Sequence, residues 1–414
     1  MKYEFSGKLK YLEKEYIFTF DGEALHLQYL VNSNKTPANE IFGIDEYNGY
    51  NYLNEKRVDE EYIEGECFEK NKKIIFIPKA KSFLVVHNHA VSFDIEAYII
   101  YKYQSKPIGR IAITSRELNY IYPTNEAFDY NFDNWTYSGT VKITTKPFIN
   151  LGSEPVYFVC KGKKVKTYFN ISSKTGLQNG DEPLSLSSNM YLEFEPTEDM
   201  NFILDLYFVV KQFIQFLCNR KNIVLESKIL FSCHESGMYE ECAELNVCGE
   251  NTQIEEYPIQ KNRFIPYRYI KGIEGMILQD IVDENLFMRQ IPESYVAGTV
   301  IDEGKFVIIT SAFEWEFRRT FPEGLQKSEG RIAAENEVVM KLKELADDST
   351  GRQKEILKRL IHMFPLSSLG EQIVQTYKKY SLILNEFGAE LYRINGTEYN
   401  CNKIGERLAR QRNN

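Results

Sequence analysis

The amino-acid sequence predicts an α+β protein, in which a β-rich N-terminal domain of the antiparallel sandwich or barrel type precedes an α-helical bundle. Residues 1–195 contain short runs of β-branched and aromatic residues separated by turn sequences. At Met200 the apolar period changes to three and four residues, which is typical of helices. From Asp302 onward all segments have a helical pattern, interrupted only by short loop sequences.

The β-rich domain is predicted over residues 1–195. Residues 2–20 alternate between apolar and polar side chains, and 74–77 and 97–103 are short runs of strand-forming residues. Turn sequences such as Asp21-Gly22 separate these runs. Several short strands separated by turn sequences indicate an antiparallel sheet.

Residues 196–300 are predicted to form a mixed connecting region. A helix over 200–219 has a wide apolar stripe. The segments 222–232 and 244–248 are predicted to be strands that return to the β domain, and 267–288 is predicted to be helical.

The last domain, residues 301–414, is predicted to be a helical bundle. Its helices are expected at 303–320, 328–347, 351–363, 369–388 and 401–414. Short loops between helices imply that neighbours in the bundle are antiparallel.

The composition excludes several classes of protein. The chain has 414 residues, of which 43% are hydrophobic and 14% aromatic, so it is not disordered as a whole. No signal-peptide pattern is seen at the start, and the most apolar stretch, 202–218, contains Asp205 and Lys211. Seven scattered cysteines without a CxxC pair indicate reduced thiols. We therefore expect a cytoplasmic protein with no membrane partner.

The net charge of −9 is unevenly distributed. Residues 301–414 carry 18 Lys and Arg against 17 Asp and Glu, whereas the first 300 residues carry 32 against 42. The last 14 residues hold four bases and one acid. An anionic partner is therefore expected to bind at the C-terminal end.

Two groups of residues resemble metal sites, but neither is complete. His87-Asn88-His89 places two imidazoles on one face of a strand, but no third ligand is evident. Cys233 and His234, with Cys242 and Cys248, have spacings that match no zinc pattern. The sequence also has no phosphate-binding glycine loop and no GxSxG motif. We therefore predict no metal and no cofactor.

The C-terminal helix carries the most informative pattern. Ile404 and Leu408 lie on one helical line, and Arg412 is the next residue on it. An arginine that continues an apolar stripe favours contact with a partner, although a stripe that simply ends at the surface is the alternative.

These residues resemble a known family. The segment 407–414 resembles the last helix of HEPN domains of the ApeA-like kind, whose motif is Arg, usually followed by Asn and, a few residues later, by Ala-His. Arg412-Asn413 matches the opening of that motif. The segment 309–319, which contains Glu314, looks like the first HEPN helix. The β-rich region, followed by the helix at 202–217, is similar to the ApeA N-terminal domain.

The resemblance implies an antiphage, abortive-infection endoribonuclease that cleaves RNA without a metal at a composite site between two protomers. It implies Arg412, Asn413 and Glu314 as catalytic residues, and Arg407 and Arg410 as RNA-binding residues. The implied partners are RNA, with tRNA as one candidate, a second copy bound through the helical domain, and a phage-derived trigger.

The sequence departs from the family motif at the histidine. The shortest motif spacing would place that residue at position 417, whereas the sequence ends at Asn414 and its five histidines lie elsewhere. We therefore expect a truncated chain that is inactive as it stands. Two alternatives remain open: a non-enzymatic sensing or interaction protein whose β domain binds a ligand or phage component, and a metal-dependent hydrolase that uses the histidines near residue 88.

Overall fold

A computed structural model describes most of the chain. It describes residues 4–29, 44–47, 50–53, 57–69, 72–87, 90–102, 106–131, 142–148, 151–176, 182, 184–234, 236–250, 264–363, 368–388, 393–394, 397–398 and 401–413. These residues form two compact units. Unit 1 comprises Met1–Asn285 with Glu293–Tyr295, and unit 2 comprises Leu286–Pro292 with Val296–Asn414.

The strands are numbered in chain order. They are β1 (Phe5–Tyr11), β2 (Lys14–Phe20), β3 (Ala24–Tyr29), β4 (Ile44–Tyr47), β5 (Tyr50–Leu53), β6 (Ile63–Cys67), β7 (Lys73–Pro78), β8 (Val85–His87), β9 (Ala90–Tyr101), β10 (Ile108–Ser115), β11 (Phe128–Asn131), β12 (Lys142–Thr145), β13 (Val156–Cys160), β14 (Lys163–Lys174), β15 (Ser185–Thr197), β16 (Leu225–Cys233), β17 (Tyr239–Val247), β18 (Arg393–Ile394) and β19 (Thr397–Glu398).

The helices are numbered in the same way. They are α1 (Leu118–Ile121), α2 (Met200–Cys218), α3 (Glu274–Val282), α4 (Tyr295–Thr299), α5 (Glu303–Thr320), α6 (Glu329–Asp347), α7 (Gly351–Met363), α8 (Leu369–Gly388) and α9 (Cys401–Asn413). The mixed α+β class is confirmed, since an antiparallel β region precedes a helical C-terminal region.

Six strands of unit 1 close into an antiparallel barrel. Strands β3, β2, β1, β6 and β7 pair in that order, and β9 pairs with both β3 and β7. Closure leaves these strands without an open edge. The interior is filled by aromatic side chains: the ring of Phe76 lies 5.2 Å from that of Phe18 and 5.4 Å from that of Phe20. A Cβ at Gly7 would lie 2.6 Å from the Phe18 ring, so this position requires glycine.

Strand β9 also belongs to a second, open sheet. From β9 the order continues through β17, β16, β10, β15, β14 and β13, so the predicted returning strands are confirmed as β16 and β17. The outer edge of β13 is covered by α3, because Val159 N–H donates a hydrogen bond to Gln279 Oε1 at 2.8 Å. This contact protects the sheet edge from pairing with another chain.

Helix α2 is part of the core of unit 1. Asp199 caps its start, accepting a hydrogen bond from Phe202 N–H at 2.9 Å, and the Phe202 ring packs edge-to-face on Phe194 of β15. Among the described helices, only α2 has the length and apolar composition of a membrane span, and 56% of its most apolar window is buried. That burial is typical of a core helix.

Unit 2 is built from helices that pack in pairs. Helix α6 packs against α7, α8 against α9, and α5 against α8. The predicted bounds of these five helices are confirmed to within one residue.

Two predictions about secondary structure were wrong. The segment 267–288 is not one helix, because only Tyr267–Tyr269 and Glu274–Val282 are helical and Gly272 between them has a φ of +83°. The chain after Asp302 is not entirely helical, because β18 and β19 pair as a small hairpin. The sequence between these strands is Asn-Gly, a pair of residues typical of two-residue hairpin turns.

Candidate nucleic-acid interface

Unit 2 contains a cleft of about 1180 Å³ that includes one of the predicted RNA-binding residues, Arg410. The walls are formed by the end of α5, the α5–α6 connection, the first turn of α6, α8 and α9. The lining residues are Phe321, Leu325, Gln326, Arg331, Ser368, Gly370, Glu371, Val374, Gln375, Lys378, Lys379, Glu406, Ala409 and Arg410.

A contact between two glycines places α9 at this cleft. Gly405 is buried, and a Cβ at this position would lie 2.6 Å from the Gly370 carbonyl oxygen. The backbones of α8 and α9 therefore approach more closely than a larger residue permits. Glu406, Ala409 and Arg410 follow at spacings that place them on one face of α9, and this face lines the cleft.

One wall of the cleft is cationic. Lys378, Lys379 and Arg410 are exposed, and none of them has an acidic partner within ion-pair distance among the described residues. The Lys379 ammonium lies 4.6 Å from the centroid of the Phe321 ring, which itself stacks on Phe317 at 4.7 Å. A cation–π contact holds a lysine over a ring without neutralising its charge. Glu406 lies on the same face of α9 as Arg410, so this wall has three cations and one acid, and its net positive charge can attract anions.

Another part of the lining, where α6 and α8 begin, is neutralised by its own ion pairs. Arg331 contacts the Glu371 carboxylate and also donates to Glu335 at 2.9 Å. Burial alone would raise the pKa of Glu371, but hydrogen bonds from Arg331 and Ser368 outweigh it and lower that pKa. Ser368 and Glu371 also form a capping box at the start of α8. The Glu371 carboxylate is thus occupied by structural contacts within unit 2.

A glutamine fixes the loop at the rim of the cleft. The Gln375 amide donates to the Gly324 carbonyl at 3.0 Å and accepts from Gln326 N–H at 2.7 Å. These two hydrogen bonds hold the α5–α6 connection against α8. The rim is therefore preorganised by a side chain of the same helix that carries the lysines.

The structure brings only part of the predicted site together. Arg410 lines the cleft, whereas Arg407 is exposed on α9 and Glu314 lies on α5, and neither of these two is a lining residue. The α9 backbone includes Arg412 and Asn413, but their side chains lie outside the described part of the chain. By helical position, Asn413 shares the face of Arg410, and Arg412 lies about 200° away on the face of Gly405.

Sequence reasoning missed the two lysines and Phe321. A signal for the lysines was present, because neither Lys378 nor Lys379 has an acid three or four residues away on its helix. Unpaired adjacent lysines on an amphipathic helix indicate an anion-binding face. Phe321 follows α5 directly and had no comparable signal.

The structure describes part of the candidate metal sites. His234 Nε2 lies 2.7 Å from Glu240 Oε2, and Cys242 Sγ lies 3.4 Å from the Leu230 carbonyl oxygen. No group of three or more potential ligands occurs among the described residues. His89 and the side chain of His87 lie outside the described part.

Unit 1 holds a separate ionic cluster around Glu250. Its carboxylate accepts from Lys211 and Lys228 at 3.0 Å each, and Tyr207 Oη also contacts it. Burial raises the pKa of Glu250 to about 7. Burial lowers the pKa of both lysines, and the Lys211 charge lowers that of Lys228 further. These groups satisfy one another, so the cluster is interpreted as structural.

Comparison with protein-family models, with curated proteins and with solved structures finds no match to this chain.

Proposed function

We propose that unit 2 binds RNA along its cleft, as part of a metal-independent, HEPN-type antiphage endoribonuclease of the ApeA-like kind. One observation carries the proposal: Arg410, named as RNA-binding from the motif resemblance, lies in a cleft with two further cations, Lys378 and Lys379, for which the described residues provide no ion-pair partner. Three cations in one cleft suit the repeated phosphates of a nucleic acid.

The chemistry of the cleft fits single-stranded RNA. Lysine and arginine neutralise phosphates, and arginine can donate two parallel hydrogen bonds to one phosphate. The apolar lining, which includes Phe321, Leu325 and Ala409, offers surface to bases. The face of Arg410 continues to Asn413 in the last turn of α9, so bound RNA would run towards the motif residues.

The proposed mechanism assigns roles to the last turn of α9. Arg412 would stabilise the charged phosphate in the transition state. A motif histidine would take the proton from the ribose 2′-hydroxyl as its oxygen attacks the adjacent phosphorus; the bond from phosphorus to the 5′-oxygen breaks, and that oxygen leaves as a protonated hydroxyl beside a 2′,3′-cyclic phosphate. Asn413 and Glu314 would position these groups. We further propose that two copies assemble through the helical unit in the cytoplasm, with RNA, tRNA included, as the substrate and a phage-derived trigger acting on unit 1.

RNA binding is tested by titrating a single-stranded RNA with the chain at several salt concentrations. We expect Lys378→Ala/Lys379→Ala to weaken binding and to reduce the slope of log K against log[salt] by about 1.4, because each lost phosphate contact contributes about 0.7. The control Lys343→Ala/Lys358→Ala makes the same change in net charge away from the cleft, and we expect it to leave the slope unchanged.

Equal slopes for the two double variants would contradict RNA binding in the cleft. A non-enzymatic sensing role, with unit 1 as the binding unit, would then be the better account of the protein.

Cleavage is tested separately. A chain extended from Asn414 through the motif Ala-His should cleave RNA in EDTA. In that chain, replacing the motif histidine by alanine should lower the rate by about 10²–10⁴, the usual cost of losing a general acid or base. Arg412→Ala in the extended chain should also abolish cleavage. Activity that disappears with EDTA would exclude the proposed mechanism.

A further inference from the structure

Helices α6 and α7 form an antiparallel hairpin with an exposed apolar face. The less exposed face of α6 includes the half-buried Val339 and Leu342 and the buried Ala346. The less exposed face of α7 includes Leu357 and Ile361. These residues define the inner side of each helix.

Four large aliphatic side chains lie on one flank of this hairpin and remain in solvent. The exposed fractions are 39% for Val338 and 56% for Leu345 on α6, and 53% for Ile356 and 45% for Leu360 on α7. On each helix these residues are displaced by roughly 80–110° around the helix axis from the inner side, in the direction of decreasing residue number. Because the two helices are antiparallel, this displacement brings both sets of residues to the same flank of the hairpin. We name this surface the hairpin face.

The border of the hairpin face carries opposite charges on its two helices. The outer edge of α6 presents Glu337 and Glu344, and the outer edge of α7 presents Arg352 and Arg359. Each pair is seven residues apart, which is two helical turns. The charge of the whole helices follows the same division: α6 has five acids and three bases, and α7 has four bases and one acid.

We propose that the hairpin face binds the hairpin face of a second copy of this chain, forming a four-helix bundle across a twofold axis. A two-helix hairpin with an apolar face is half of such a bundle, and a twofold interface requires a self-complementary surface. The inference rests on the dimer in the proposed function and places one contact surface of that dimer on the hairpin.

The charges select one orientation of the two copies. A twofold axis parallel to the helices places α6 antiparallel to the partner's α7, so that the border glutamates of one copy lie opposite the border arginines of the other. The other face-to-face orientation would place α6 on the partner's α6 and oppose like charges. Glu337 pairs with Lys341 of its own helix, but that pair is exposed and contributes little.

The test uses the full chain and measures molar mass by light scattering over a dilution series. We expect a dimer for the unchanged chain. The variants Glu337→Arg/Glu344→Arg and Arg352→Glu/Arg359→Glu should each be monomeric, because each opposes like charges across the interface. An equimolar mixture of the two variants should restore the dimer, since every border contact then joins opposite charges.

Three results would overturn the proposal: a monomeric unchanged chain, a charge variant that stays dimeric alone, or a mixture that stays monomeric. Circular dichroism of each variant checks that the helices form. The variant Val338→Ser/Leu345→Ser removes apolar contact without changing charge. It should also halve the molar mass measured by light scattering, from dimer to monomer. The measurement contains no RNA, so its outcome is independent of the test of the cleft.

Discussion

At the scale of single residues, Gly405 decides where the proposed RNA-binding face lies. Alanine is the better helix former by about 1 kcal/mol, so propensity alone would make Gly405→Ala stabilising. The added Cβ, however, would lie 2.6 Å from the Gly370 carbonyl oxygen, which is backbone and cannot rotate away. We expect a net loss of about 1–3 kcal/mol in the stability of unit 2, measured by denaturant unfolding.

Gly330 supplies the matched control for that substitution. It lies in α6, and a Cβ there would meet nothing within 4 Å. Gly330→Ala should therefore stabilise by about 0.4–1 kcal/mol through the unfolded chain. Effects of the same sign for the two substitutions would show that the α8–α9 glycine contact does not govern the packing of α9.

Glu250 gives unit 1 a specific pH dependence. Its pKa is about 7 in the fold and 4.5 in the unfolded chain, so the folded state binds the proton more tightly. Stability from this group is therefore complete below the unfolded pKa and is lost as the pH rises through about 7. Glu250→Gln should remove this slope in denaturant unfolding at a series of pH values.

The parent chain should thus lose stability relative to Glu250→Gln between mildly acidic and mildly alkaline pH. A difference between the two chains that stays constant with pH, or that changes in the opposite direction, would contradict the assignment of the slope to Glu250.

At the scale of secondary structure, the helices of unit 2 could be predicted because their signals are local. Asp302 and Ser328 cap α5 and α6 by accepting hydrogen bonds from backbone N–H groups, and such caps can be read from sequence. The closure of the barrel could not be predicted, because β9 pairs with β3, β7 and β17 from distant parts of the chain.

The same distinction applies to the candidate site. Arg410 could be named from a short motif within one helix. Its neighbours in the cleft, Lys378 and Phe321, come from two other parts of the chain. Only the packing of α8 on α9 and on α5 brings these side chains into one cleft, and no local pattern encodes that packing.

The cap of α5 offers a direct test of one local signal. Asp302 Oδ1 accepts a hydrogen bond from Lys305 N–H at 2.7 Å, so Asp302→Ala should lower the stability of unit 2 by about 1 kcal/mol. Asp302→Asn retains an acceptor and should cost only a few tenths of that amount. The comparison is made by thermal unfolding, and equal losses for the two variants would argue against a capping role.

At the scale of the whole molecule, the two units bury very different amounts of apolar surface. The described core of unit 1 includes the filled barrel and eleven of the nineteen residues of α2. In unit 2 the buried apolar residues among those described are few. They are Ile291, Ala312, Phe317, Ala346 and Leu369. Since burial of apolar surface is the main stabilising contribution to folding, unit 1 should be the more stable unit.

Hydrogen exchange can measure this difference segment by segment. Exchange in a folded protein reports the free energy of opening, which is lowest where few apolar contacts must break. Within α6 the structure buries only Ala346, and no side chain described in α7 is buried, whereas α2 buries eleven residues. We expect peptides from α6 and α7 to exchange at least about tenfold faster than those from α2, a difference of at least about 1.4 kcal/mol in opening free energy.

The comparison is made at the lowest practical protein concentration, because a dimer through the hairpin face would slow exchange in α6 and α7. Protection of α6 and α7 that equals that of α2 under these conditions would show that contacts other than apolar burial stabilise unit 2.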